Sequence, residues 1–203
     1  MSGRNPAPRR SYGGRSAEER RAERRERLLT AGLELFGTRG YTATSIERLC
    51  ATASVSTRNF YEEFTGREEL LNTLHRTIHD RAALALTTAY SETSDADLPT
   101  RVHKAVQAFV TVTATDPRWA RIAFAEVTPT LNRYPQWKHA IETLIQDAIT
   151  RNEAPPRDYT LTIIALTGAL TALIHHRSTN NQHTPTDQIT TELTTLIIKS
   201  LTP

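Results

Sequence analysis

Apolar positions recur every three to four residues along most of this chain, and no stretch sustains a period-two alternation. The pattern predicts an all-α protein. Ser16 reads as an N-cap, with Glu19 three residues on completing a capping box. The helix it opens is expected over 16–37, with Leu28, Gly32, Leu35 and Phe36 on one face and Gly40 ending the element. Thr44 or Ser45 then caps a short helix that turns Ile46 and Leu49 inward. Ala53, Ser54 and Val55 make a brief turn. Ser56 caps a third helix holding Phe60 and Phe64, and Thr65-Gly66 breaks it. A long helix follows over 67–90, with Leu70, Leu71, Leu74, Ile78, Ala82, Ala85 and Ala89 as its apolar face.

The rest continues in the same period. A helix over 98–115 carries Val102, Val106, Phe109, Val110 and Thr113. Pro117 and Pro135 each open a helix, the first reaching Val127 and the second aligning Trp137, Ile141, Leu144 and Ala148. Two more are expected over 157–177 and 186–201. The many threonines of the last third disfavour helix mildly, and the apolar spacing outweighs them. This gives three parts: a basic arm over 1–15 that reads as disordered, a three-helix unit over 16–66, and a larger helical body over 67–203.

Composition narrows the class. The 203 residues are 38% hydrophobic and 23% charged, which is globular composition. The single cysteine, Cys50, excludes an internal disulfide and a multi-cysteine zinc site. The most apolar run, Leu161 to Ile174, is interrupted by Thr162, Thr167, Gly168 and Thr171, so it reads as a buried helix and not a membrane span. No apolar segment follows the Arg-rich N-terminus as a signal peptide requires. A cytoplasmic, nucleoid-associated protein with no membrane partner is expected. The net charge is +3, and it is placed unevenly: the first 27 residues hold nine arginines against four glutamates. A basic end on a near-neutral body points to a polyanion partner, with a solvated tail as the bland alternative. For Arg4, Arg9, Arg10 and Arg15, disorder and entry into a minor groove stay equally open.

The informative stretch runs from Gly40 to Leu71. Two short helices joined by a tight turn, packed on a preceding helix, describe a helix-turn-helix. Ser56, Thr57, Arg58 and Asn59 cluster at the N-terminus of its second helix, the end that enters a major groove first. Arg can pair bidentately with guanine and Asn with adenine. Phe60 and Phe64 anchor the helix, Tyr61 can offer its hydroxyl to a phosphate, and Arg67 brings a cation to the same backbone.

These residues also resemble a known family. Ala31-Gly32 through Phe36, Gly40-Tyr41, Ala43 to Ile46, Val55-Ser56, Phe60-Tyr61, Phe64 and Glu69-Leu70-Leu71 stand at the spacing of the DNA-binding domain of TetR-family regulators, over about residues 20–75. The body fits that family in length and helicity alone. The resemblance implies a homodimer on a palindromic double-stranded operator, and a divergent C-terminal domain whose small-molecule ligand weakens DNA binding. A repressor released by ligand is the first expectation; an activator, or a regulator without ligand, uses the same DNA-binding domain. The expected DNA-facing set is Thr44, Ser45, Arg48, Ser56, Thr57, Arg58, Asn59, Tyr61 and Arg67. Two positions depart from the family pattern. Ser54 stands where Gly is usual, and a non-Gly residue at positive φ there costs about 1 kcal/mol. Cys50 stands where Ala is usual, and reads as a small core residue.

Aromatic side chains of the body are candidates for a ligand pocket. The aromatic set is Tyr90, Phe109, Trp119, Phe124, Tyr134 and Trp137, joined by Glu126 as a candidate buried carboxylate for a cationic ligand, or for Arg121 or His103. Core packing is the commoner fate of any one aromatic, and an exposed face or a satisfied structural pair is the commoner fate of Glu126. Leu166, Leu170 and Leu173 on one late helix, and Leu193, Leu196 and Ile197 on the next, form stripes fit for a dimer interface or for burial inside one subunit; the family resemblance favours the interface. His75 and His79 are spaced for chelation on a helix but lack a third ligand, and His175, His176 and His183 give a weaker case still, so no metal is expected. No nucleophile motif, Gly-rich phosphate loop or convincing carboxylate pair indicates an enzyme, and no cofactor is expected. A helix-turn-helix that binds protein instead of DNA is the remaining alternative, disfavoured by the polar, basic reading helix.

Overall fold

The structure, a computed structural model, describes residues 16–124, 135–179 and 184–202, with side chains except those of 124, 135–138 and 179. The basic arm over 1–15 lies outside the described residues. Nine helices and no strand are found among those that are described.

The caps set the frame of the N-terminal unit. Ser16 accepts from the Glu19 N–H at 3.0 Å, while the Glu19 carboxylate accepts from the Ser16 N–H at 2.6 Å, so the capping box is closed in both directions. It opens α1 (Ala17–Arg39), two residues longer than the apolar period implies. Gly40, at φ 89°, ends α1 in a conformation that favours glycine. Ser45 is the cap of α2 (Ile46–Ala53), accepting from the Arg48 N–H at 3.3 Å. Ser54 takes φ 53° and ψ 46°, so the turn adopts the left-handed geometry of a glycine turn without the glycine. Ser56 caps α3 (Thr57–Glu63) through the Asn59 N–H at 3.2 Å.

The body follows with α4 (Arg67–Glu92), α5 (Leu98–Ala114), α6 (Pro117–Phe124), α7 (Pro135–Thr150), α8 (Thr160–Thr179) and α9 (Thr186–Leu201). The continuation of α6 to Val127 falls outside the described residues. α8 starts at Thr160, after Asp158 accepts from the Thr160 N–H at 2.8 Å. α4 packs along α5, α5 against α9, and α6 is wedged between α1 and α8. One apolar core runs through these contacts, from Leu28 to Leu201. α1 and α6 approach closely at Gly37, where a Cβ would stand 2.4 Å from Arg118 Cβ and 3.0 Å from its Cα.

Within one subunit the stripes of the last two helices are mostly covered. Of the six residues assigned to a dimer stripe, Leu166, Leu170 and Leu193 are buried inside the subunit, and Leu173 and Ile197 pack partly buried against its core. Leu196 alone is exposed. The reason is that α8 is apolar on two sides. Its bulkier stripe faces inward, while Leu161, Ile164, Ala165, Gly168 and Ala172 face out, with Leu161 81% and Ile164 59% exposed. Of the expected aromatic pocket, three aromatic members can be placed. Tyr90 and Phe109 are core, and Trp119 lies under the Arg81 guanidinium, 4.7 Å from it; His103 is half-buried. Glu126, Tyr134 and the side chains of Phe124 and Trp137 lie outside the described residues. Among the described residues an aliphatic slot of about 30 Å³ lies between α4, α5, α7, α8 and α9, walled by Leu86, Val102, Val106, Ile145, Leu166 and Leu193 among others.

Candidate nucleic-acid interface

α2 and α3 cross through the Ser54 turn, with Leu49, Ala53, Val55 and Phe60 buried beneath them. Burial of Phe60 and Phe64, 6.0 Å apart, fixes which side of α3 faces out. Ser56, Thr57, Arg58 and Tyr61 are exposed, and Asn59 is half-exposed. Arg58 lies 3.5 Å from Glu62 one turn on, a solvated pair that leaves its guanidinium in water. Ser45 and Arg48 are exposed on α2 beside it. The arrangement presents short polar groups, one guanidinium and one phenol on a single surface, the donor and acceptor set that base edges and phosphates require.

Two members of the expected set fall elsewhere. Thr44 is fully buried, and its hydroxyl donates to the Gly40 carbonyl at 2.8 Å. It closes the α1–α2 corner, and the capping role belongs to Ser45. Arg67 donates to the Tyr41 carbonyl at 3.3 Å and to the Thr44 carbonyl, and its guanidinium lies 4.7 Å over the Tyr41 ring. Its charge ties α4 to that same corner.

The residue that sequence reading missed is Glu63. Its side chain is only 1% exposed, at the C-terminal end of α3. Arg21 Nε and Arg24 Nη2 each lie 3.2 Å from its carboxylate, and Arg25 donates to its backbone carbonyl at 2.9 Å. Arg25 also stacks on Phe64 at 4.3 Å. Arg27 reaches the Ser54 carbonyl at 3.4 Å. Four arginines that read as a basic run thus hold the reading helix and its turn in place. A cation at the last carbonyls of α3 also suits the negative end of a helix.

Farther in, His75 and His79 are buried and stand with their Nε2 atoms 3.1 Å apart, and His75 Nε2 lies 3.1 Å from the Ala123 carbonyl of α6. Burial holds His75 down to about 4 and His79 to about 3, the latter also through its neighbour, so both rings are neutral. No cluster of three metal-ligating side chains occurs among the described residues. No helix among them is long and apolar enough to cross a membrane.

Residues 28–74 match the family described as bacterial regulatory proteins, tetR family. The whole fold is shared with solved structures at low identity. A regulatory protein of that family from Rhodococcus RHA1 is 22% identical, with a TM-score of 0.66 over 88% of this chain and 97% of that one. The fatty acid degradation regulator FadR from Bacillus halodurans is 14% identical, with a TM-score of 0.76 over 86% and 94%. FadR from Bacillus subtilis, solved with stearoyl-CoA, is 14% identical, with a TM-score of 0.75 over 86% and 98%. The matched segment runs from the second half of α1 through α2 and α3 into the first turns of α4, so this helix-turn-helix is similar to the DNA-binding unit of tetR-family regulators, and the chain carries the fold of solved regulators of that family.

Proposed function

We propose that the protein is a homodimeric repressor that binds a palindromic operator and leaves it when an apolar small molecule enters the body. The observation that carries the DNA half is the clamped reading helix: the surface of α3 is polar and exposed at Ser56, Thr57, Arg58, Asn59 and Tyr61, while Glu63 rivets its far end to α1. Residues 16–66 carry the reading surface and 67–203 the body, with the first turns of α4 packed into the DNA-binding unit through Leu70, Leu71 and Leu74. Asn59 and Arg58 read bases, Ser45, Arg48 and Tyr61 hold phosphates, and α3 enters the major groove by its N-terminus.

The outer face of α8, with Leu196 of α9, supplies the dimer contact. Leu161 and Ile164 stand exposed there beside small residues that let two helices approach. Two-fold pairing sets two reading helices about 34 Å apart, one turn of DNA.

The effector reading rests on the slot. A space of about 30 Å³ admits no organic molecule until the helices around it separate. An apolar effector therefore binds the opened form more tightly than the closed one, which is what release by ligand requires. The lining is wholly aliphatic, which suits a flexible hydrocarbon ligand; the stearoyl-CoA bound by the Bacillus subtilis FadR is one such molecule.

Selection of duplexes from a random pool tests the reading. Wild type should enrich a palindrome, Asn59→Ala should relax one position in each half-site, and Tyr61→Ala should weaken binding to all sequences by about tenfold. No enrichment at low salt from ligand-free protein would overturn it.

A further inference from the structure

We propose that the outer face of α4 binds a small amphipathic organic anion, with Arg81 as its anion receptor. α4 sets Leu74, Ile78, Arg81, Ala85, Thr88 and Glu92 at three- or four-residue spacing, so they form one line along the helix. Over its first half this line faces α1 across a cleft of about 150 Å³. Over its second half it faces α5 across an open groove of about 530 Å³, whose opposite wall includes Ala108 and Val112. Both clefts end on Arg81 and Trp119, which makes that pair the point where they meet.

The groove exists because α4 and α5 bring alanines to it: Ala85, Ala89 and Ala108 leave open what larger side chains would fill. Its volume lies within the range of small-molecule sites. Its charge selects the occupant. Arg81 is exposed, and among the described residues no carboxylate pairs with it. The guanidinium carbon lies over the Trp119 ring, 4.7 Å from its centroid, a contact that orders it before an anion arrives. Glu92, at the far end of the groove, is eleven residues along the helix, or about 16 Å. That exceeds the Debye length of about 8 Å at physiological salt, so Glu92 does not cancel the attraction at Arg81. An anionic head on Arg81 places an apolar body along Ala85, Ala89 and Val112, beside the exposed Leu84. The groove is distinct from the aliphatic slot, which lies on the Leu86 side of α4.

The test uses the full chain and 8-anilinonaphthalene-1-sulfonate, an aromatic anion with an apolar body. The chain has two tryptophans, so Trp137→Phe leaves Trp119 as the only energy donor to the dye. The expected result is one saturable site seen by energy transfer from Trp119. Arg81→Met should weaken it about tenfold or more, as loss of a charge-assisted contact does. Arg81→Lys should retain most of the affinity, and Ala108→Phe, which fills the groove, should abolish binding. Dodecyltrimethylammonium, a cation with an apolar tail, should not displace the dye. No saturable site in the parent protein overturns the proposal. So does an affinity unchanged by Arg81→Met, which would put the dye elsewhere, the slot included, and so does a Lys variant no better than Met. Arg81 is exposed and its replacement leaves the core intact, so this variant decides the matter even where Ala108→Phe impairs folding.

Discussion

The molecule has two buried charge networks of opposite design. At the DNA-binding end the buried ion is an anion, Glu63, and the surrounding cations reach outward, Arg21 remaining 65% exposed. At the far end the buried ion is a cation. Arg101 is 1% exposed, and it pairs with Glu153, lies 3.8 Å from Asp147 and donates to the Ala96 carbonyl at 2.6 Å and to the Tyr90 hydroxyl at 3.3 Å. Tyr90 in turn donates to Asp147 at 2.8 Å. Here the carboxylates are half-buried. The first network keeps a surplus of positive charge, Arg21 and Arg24 against the one carboxylate of Glu63, whereas at the far end Arg101 and Arg151 meet Asp147 and Glu153 in equal number. The surplus of positive charge at the end bearing α3 favours the approach of a polyanion there. Between the two lies a polar pair that carries no charge at all, His75 and His79.

The comparison can be broken most strongly at the far end. Arg101→Ala should lower the unfolding free energy by about 3–5 kcal/mol, because it empties a buried site and strands its partners. Urea denaturation measures this, and the affinity of the remaining folded protein for operator DNA should stay unchanged. Glu63→Gln should do the reverse. Its stability cost is smaller, about 1–3 kcal/mol, since Arg21 and Arg24 retain access to water. Its DNA affinity should fall about tenfold or more, because the orientation of α3 is released. A Glu63→Gln variant that binds the operator as tightly as wild type would remove Glu63 from the recognition machinery.

The neutral pair makes a prediction about pH. Both histidines titrate near 6.5 when unfolded and at about 4 and about 3 when folded. Between these values the unfolded chain binds protons that the folded chain does not. Stability is therefore complete above about pH 6.5 and lost as pH falls toward 4, with a slope of up to about 2.7 kcal/mol per pH unit for two groups. His79→Leu should roughly halve that slope in denaturation curves taken between pH 6.5 and 4.5. The smallest effect is expected at the turn. Ser54→Gly relieves a left-handed residue and should raise stability by up to about 1 kcal/mol without altering the operator preference.

Local chemistry made the N-terminal unit legible from sequence. The serine caps at 16 and 56, the breaks at Gly40 and Gly66 and the buried phenylalanines each act within a few residues, so spacing alone places them. What escaped acts across the fold. Glu63 looks like its neighbour Glu62 in sequence, and its partners lie 39 and 42 residues away. A sign was present in α1, where Arg21, Arg24 and Arg25 share one helical face. Arg101 interrupts the apolar line of Leu98, Val102 and Ala105, which marked it as a charge bound for the interior. The aliphatic slot and the outer face of α8 were hidden for another reason. Apolar spacing identifies a stripe but not which of two stripes on the same helix turns inward.

The contact at Gly37 has a mechanical consequence. α6 meets α1 there with only a glycine between them, and Arg121 donates to the Thr38 carbonyl at 3.0 Å one residue on. A joint made of long side chains has play, since rotamers can absorb an ångström of movement before a neighbour feels it. At Gly37 no side chain of α1 stands between the two backbones. A shift of α6 toward α1 meets the backbone of the helix that carries the Glu63 clamp directly, so the two halves bear on each other there.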